Sequence, residues 1–237
     1  MQTLVMLHGG GGGGGGGGSG PALEPLASLL RPSFAIELPN LVGHGGREIP
    51  AQIRFDDWLD DLVLQLDERG IGRAAFFGYS DGGLVALALA RRHPQRVSAV
   101  CTLATRHVMD PAATAQFVAL CDPEKVSRQG GTLADALQKI HHPQDWPLLY
   151  RRMAEFYPAL QREPALTGDD LRQIPQPALV ISSGRDLIAP WQETMKLALA
   201  LPKGHSVIFP RYAHPLHVVP LKFVARVMTQ WLSNLPP

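Results

Sequence analysis

The sequence predicts an α/β fold: a mostly parallel sheet of about six strands with helices on both faces. Three observations carry that prediction. Short apolar runs of strand length alternate with helical stretches along most of the 237 residues. One run turns abruptly into a helix through Phe76-Phe77-Gly78-Tyr79-Ser80-Asp81-Gly82-Gly83. From Arg106 to about Ile174 the strand signal stops and only helical signal remains. The chain therefore divides into one core, residues 1–105 and 175–237, and a helical cap, residues 106–174, inserted into it.

Taken in order, Thr3 to Leu7 reads as the first strand, ending in His8-Gly9. Ten consecutive glycines follow, Gly9 to Gly18. A strand just before them and a helix (Ala22 to Leu30) just after argue against an interdomain linker. The run is either a native low-complexity loop or a stand-in for other residues. Ser33 to Leu38 is the second strand, opening into the turn-rich Pro39-Asn40-Leu41-Val42-Gly43-His44-Gly45-Gly46-Arg47. Phe55 to Arg69 is an amphipathic helix with Trp58, Leu59, Leu62 and Leu66 at helical spacing. Its acidic residues Asp56, Asp57, Asp60 and Asp61 read as a solvated face rather than a metal site.

Arg73 to Phe77 is the third strand and Leu84 to Arg92 the helix after the turn, closing at His93-Pro94. Ser98 to Leu103 is the fourth strand. Helices are expected at Phe117 to Leu120, Leu133 to Ile140 and Trp146 to Leu160, broken by Asp122-Pro123, Gly130-Gly131 and His142-Pro143. Strands return at Pro177 to Ser182 and Ser206 to Phe209, with helices at about Pro190 to Ala200 and Pro220 to Ser233.

Composition excludes several function classes. A net charge of +1 leaves no basic stripe for nucleic acid and no polybasic arm for an anionic membrane. No apolar run approaches the ~20 residues of a membrane span. Met1 to His8 lacks a basic leader and runs straight into a strand, so a cytoplasmic protein without a signal peptide is expected. Cys101 and Cys121 make no disulfide framework, and Cys101 reads as a small buried hydrophobe. No His/Cys/carboxylate cluster has ligand spacing, so neither a metal nor a cofactor is expected. A small-molecule substrate is the expected partner, with the oligomeric state open.

The chemistry is concentrated in Gly78-Tyr79-Ser80-Asp81-Gly82, a G-x-S-x-G set between a strand and a helix. Such a turn holds the serine in a strained conformation, and glycines on either side let neighbouring backbone come close. The hydroxyl then stands at the carboxyl edge of the sheet, above a helix N-terminus that favours developing negative charge. A serine hydroxyl is a weak nucleophile and needs a base oriented by a third group. Ser183-Gly184-Arg185-Asp186 follows one late strand and Ala213-His214 follows the last. The chain order Ser, Asp, His, each at a strand's carboxyl end, makes Ser80, Asp186 and His214 the candidates.

With these motifs, together with Leu7-His8-Gly9, Gly43-His44-Gly45 and Ala90-Arg91-Arg92-His93-Pro94-Gln95-Arg96-Val97, the chain resembles the α/β-hydrolase superfamily, in its capped single-domain branch. The resemblance covers nearly the whole chain. It implies a serine hydrolase acting on a small ester or related acyl compound, with Ser80 as nucleophile, His214 as general base and acid, and Asp186 orienting His214. It further implies an oxyanion hole from the backbone N–H of Asp81 and Gly10, with Gly9 in reserve. Tyr79, Phe117, Trp146, Phe156 and His217 are the substrate-pocket candidates. His217 is also a second candidate base, and Asp110 a rival orienting acid. His8 and His44 are expected to support loops. The sequence departs from the usual pattern at Gly10, where relatives carry a bulky residue, and at Ala213, where they carry glycine. Carbon–carbon bond hydrolysis or elimination on the same residues, and a slow hydrolase used as a ligand sensor, are the alternatives.

Overall fold

The computed structural model describes residues 1–11, 19–128 and 131–236. Residues 12–18 of the glycine run and the break expected at Gly130 lie outside the described residues. The chain opens with β1 (Thr3–Leu7), α1 (Ser19–Leu30), β2 (Ala35–Glu37) and α2 (Phe55–Glu68). Next come β3 (Ala74–Tyr79), α3 (Asp81–Arg92) and β4 (Val97–Leu103). Among the described residues five helices then follow with no strand between them: α4 (Pro111–Leu120), α5 (Pro123–Arg128), α6 (Gly131–His141), α7 (Trp146–Arg162) and α8 (Gly168–Arg172). The chain closes with β5 (Ala178–Ser183), α9 (Trp191–Ala200), β6 (Gly204–Phe209) and α10 (Leu221–Ser233).

The six strands form one sheet in the order β2-β1-β3-β4-β5-β6. Every pairing is parallel. Alternate strand residues feed two separate apolar layers. Val5, Leu7, Phe76, Val100 and Val180 join α2, α3, α7 and α9 residues on one face. Leu4, Met6, Phe77, Cys101 and Ile181 join α1 and α10 residues on the other. Burial on both faces is why these strands read as continuous apolar runs. Both cysteines are buried and free.

Strand order reverses between β1 and β3, because the chain first adds β2 on one side of β1 and then β3 on the other. In an open α/β sheet the loops leaving the strands diverge there and open a crevice at the carboxyl edge. The loop after β1 and the turn after β3 are the two that meet at this point.

Some boundaries differ from the sequence reading. The helix after β3 begins at Asp81 rather than Leu84, so Ser80 alone separates strand from helix. Gly82 and Gly83 are poor helix formers in isolation. Close packing explains them here: a Cβ on Gly82 would lie 2.4 Å from the Leu7 carbonyl oxygen, and one on Gly83 would lie 2.0 Å from Thr105 Oγ1. Helix α4 begins at Pro111, six residues before the expected start at Phe117, capped by the Asp110 side chain on the Ala113 N–H. The short helices α5 and α8 were not anticipated; α8 carries a capping box between Thr167 and Asp170. Among the described residues no helix is long and apolar enough to cross a membrane.

Candidate active site

Ser80 sits at the tip of β3 with φ 53° and ψ −121°, a left-handed backbone rare for a residue with a side chain. Such strain costs about 1–3 kcal/mol and persists only where neighbours impose it. Three hydrogen bonds impose it here. The Ser80 N–H donates to the Leu103 carbonyl at 2.9 Å, and the Ser80 carbonyl accepts the Gly83 N–H and the Thr105 hydroxyl, each at 2.9 Å. Gly78 is obligatory, because a Cβ there would stand 2.3 Å from the Gly82 backbone. The loop after β1 lies alongside: a Cβ on Gly9 would come 3.1 Å from the Ser80 Cβ.

Asp186 and His214 arrive from the loops after β5 and β6. Those loops are laced together: Gly184 N–H donates to the Phe209 carbonyl and Arg185 N–H to the Tyr212 carbonyl, each at 2.9 Å. Asp186 Oδ1 accepts the backbone N–H of Ile188 and of Ala189, both at 2.8 Å. Its Oδ2 lies 2.8 Å from His214 Nδ1. An ionised carboxylate only accepts, so Nδ1 carries the proton and Nε2 is left with its lone pair. Both residues are buried. Tyr79, next to Ser80, donates its hydroxyl to the His214 carbonyl at 3.0 Å, and the two rings lie 5.4 Å apart. Tyr79 therefore ties the β3 turn to the β6 loop, and burial raises its phenol pKa.

Neither rival takes part in the Asp186–His214 contact. Asp110 caps α4 and lies 3.5 Å from Arg106. His217 is exposed, in the short 3₁₀ turn Leu216–Val218. Of the aromatic candidates, Phe117 stacks on Tyr157 at 4.6 Å and Trp146 packs on Tyr150 at 5.2 Å. Phe156 packs on Trp58 at 4.7 Å, within the apolar layer shared with α2. The four aspartates in the first half of α2 behave as a solvated face: Asp57 pairs with Arg54, Asp61 with Arg47 and Asp56 with Arg92. Among the described residues no group of three or more His, Cys, Asp or Glu is placed to hold a metal.

Sequence reasoning missed the α7 residues that reach the site. The Tyr157 hydroxyl donates to Asp81 Oδ2 at 2.8 Å. Tyr150 and Met153 lie against Gly11. Positions 150, 153 and 157 share a helix face, so the signal was present as a spacing.

A second feature is a stack of buried histidines under the β1 loop. His8 donates from Nδ1 to the Gly9 carbonyl at 2.7 Å and accepts the Leu41 N–H on Nε2 at 3.1 Å. His44 donates from Nδ1 to the Val42 carbonyl at 3.0 Å. His141, at the end of α6, accepts the Gly45 N–H on Nδ1 at 3.3 Å. His8 and His44 thus brace loops, as expected, and His141 joins them. Burial lowers all three pKa values from the usual 6.5, to about 4 for His8 and for His141 and well below 6.5 for His44. The rings stay neutral in the fold, whereas the unfolded chain takes up protons near 6.5. Stability is therefore complete above pH 6.5 and falls as the pH drops toward 4. At about 1.4 kcal/mol per tenfold change in proton affinity, His8 and His141 each withdraw about 3 kcal/mol once below pH 4. The urea midpoint is expected to be flat above pH 7 and to fall steadily from pH 6.5 to 4. Equal midpoints at pH 7.5 and 4.5 would contradict this.

Comparison with known proteins follows the same lines. The model of the alpha/beta hydrolase family matches residues 4–227. The 2-hydroxymuconate semialdehyde hydrolase of Pseudomonas sp. (strain CF600) is 28% identical over 89% of this chain and 80% of its own. The pimeloyl-[acyl-carrier protein] methyl ester esterase of Aromatoleum aromaticum is 38% identical, over 43% of this chain and 36% of its own. The crystal structure of the enol-lactonase from Burkholderia xenovorans LB400 superposes with a TM-score of 0.77 at 22% identity, covering 98% of this chain and 92% of that one.

Proposed function

We propose, from the premise that the chain belongs to the alpha/beta hydrolase family and is an enzyme of it, that it is a serine hydrolase of small esters or related acyl compounds. The observation that supports this best is the 2.8 Å contact of His214 Nδ1 with a doubly anchored Asp186, joined through Tyr79 to a strained Ser80. His214 Nε2 takes the Ser80 proton as the hydroxyl attacks the substrate carbonyl. The backbone N–H groups of Asp81 and Gly10 hold the oxyanion, at roughly 3 kcal/mol per donor. His214 then protonates the leaving alcohol. Water, deprotonated by His214, attacks the acyl-enzyme and frees the acid and Ser80. Residues 106–174 act as the cap, with Tyr157 and Met153 of α7 closing the acyl side of the cleft.

A second reading, hydrolysis of a carbon–carbon bond by the same serine and histidine, is favoured by the likeness to 2-hydroxymuconate semialdehyde hydrolase. Offering the protein short p-nitrophenyl esters and 2-hydroxymuconate semialdehyde in parallel separates the two. Ester turnover that survives EDTA is the expected result. Consumption of the semialdehyde without any ester turnover would favour the second reading. Activity lost in EDTA and restored by zinc would overturn both.

A further inference from the structure

The reaction proposed above uses only the N–H of Asp81, yet its carboxyl is buried beside Ser80 and hydrogen-bonded. Asp81 is 8% exposed and its Oδ2 accepts the Tyr157 hydroxyl. A Cβ built on Gly10 would stand 2.2 Å from Asp81 Oδ2, 2.7 Å from the Tyr157 hydroxyl and 2.9 Å from the Met153 methyl. These three side chains fill the volume that a bulky residue after His8-Gly9 would take. The wall beside Gly10 is thus made by a carboxyl, a phenol and a methionine methyl.

Among the described residues no lysine or arginine pairs with Asp81. Burial pushes its carboxyl above the usual range, opposed by Tyr157, by His214 and by the Gly10 N–H. An isolated carboxylate in such a place costs the fold stability that an apolar side chain would not. The Tyr157 hydroxyl and the Gly10 N–H do not exhaust a carboxylate, which offers about four lone-pair sites. The position decides what can use the remainder. A carbonyl oxygen held by the Asp81 N–H, and by the Gly10 N–H once it turns from the Asp81 carboxyl to the substrate, leaves the acyl substituent beside the side chains that press on Gly10.

We propose that Asp81, positioned by Tyr157, is an acyl-side specificity site: it favours acyl groups that carry a protonated amine beside the scissile carbonyl and rejects those that carry a carboxylate there. This rests on the serine hydrolase reading. A cation a few ångströms from a water-poor carboxylate is held strongly, and an anion is repelled by a similar amount.

The test uses the full chain and three p-nitrophenyl esters of nearly equal size, those of glycine, propionic acid and malonic acid, corrected for spontaneous hydrolysis. Ser80 labelling by a fluorophosphonate is read beside them. The kcat/KM of the glycine ester is expected about tenfold or more above that of the propionate, and the malonate about tenfold or more below it. Asp81→Asn should compress the spread to about threefold or less, with the ratio rather than the absolute rate as the readout. Tyr157→Phe keeps the carboxyl but frees it, and should narrow the spread mainly through KM of the glycine ester. Equal kcat/KM across the three esters overturns the proposal, as does a spread unchanged in Asp81→Asn. If that variant does not fold, an unchanged spread in Tyr157→Phe overturns it instead. Labelled Ser80 without charge preference refutes this site and leaves the serine hydrolase reading standing. No labelling and no ester turnover refutes that reading and this site with it.

Discussion

Replacing Ser80 by alanine is expected to lower kcat for a p-nitrophenyl ester by between about 10⁴- and 10⁶-fold, the scale on which nucleophiles of serine triads act. The same substitution should abolish fluorophosphonate labelling. Folding should be almost unaffected. Alanine at φ 53° is no better and no worse placed than serine, and all three hydrogen bonds that impose the turn use the backbone of residue 80. The readout is therefore activity at unchanged melting temperature. Labelling or turnover that survives in a folded Ser80→Ala protein would remove Ser80 from the reaction.

The second large effect separates two histidines three residues apart. His214→Ala should cut kcat by several orders of magnitude, about 10⁴-fold or more. It should also lower stability, because Asp186 keeps its bonds to Ile188 and Ala189 but loses the ring that faces it. His217→Ala should cost only a few-fold and act mostly on KM, since that ring stands exposed outside the Asp186 contact. Steady-state kinetics of the two variants on one ester decide the matter. Equal, large losses of kcat would leave the base unassigned, and the reverse order would make it His217.

Much of this site is legible in the chain because each proposed catalytic residue lies in a loop immediately after a strand. The strand runs before Ser80, Asp186 and His214 mark three points on one sheet edge, whatever lies between them in sequence. Asp110 falls after a strand too, and only the structure shows its carboxylate spent on the first turn of α4. What was not legible depends on contacts between distant segments. Periodicity places Tyr150, Met153 and Tyr157 on one face of α7, but nothing in α7 itself says that this face meets Gly10 and Asp81. Trp146 and Phe156 are the more conspicuous aromatics, and Phe156 is taken up by Trp58. The early start of α3 was hidden in the same way. Gly82 and Gly83 argue against a helix locally, and their value appears only beside Leu7 and Thr105.

The order of strands also sets how the protein should fail. Ser80 hangs from β3, in the middle of the sheet and flanked on both sides. His214 follows β6, one of the two edge strands, whose residues are only partly covered. Peripheral strands open at lower free energy than central ones. On warming, the proposed base would come adrift from Asp186, which hangs from the buried β5, while the turn of the proposed nucleophile stayed intact. Loss of catalysis would then precede melting and would reverse on cooling, so that the ceiling on working temperature is set at the rim rather than by the core.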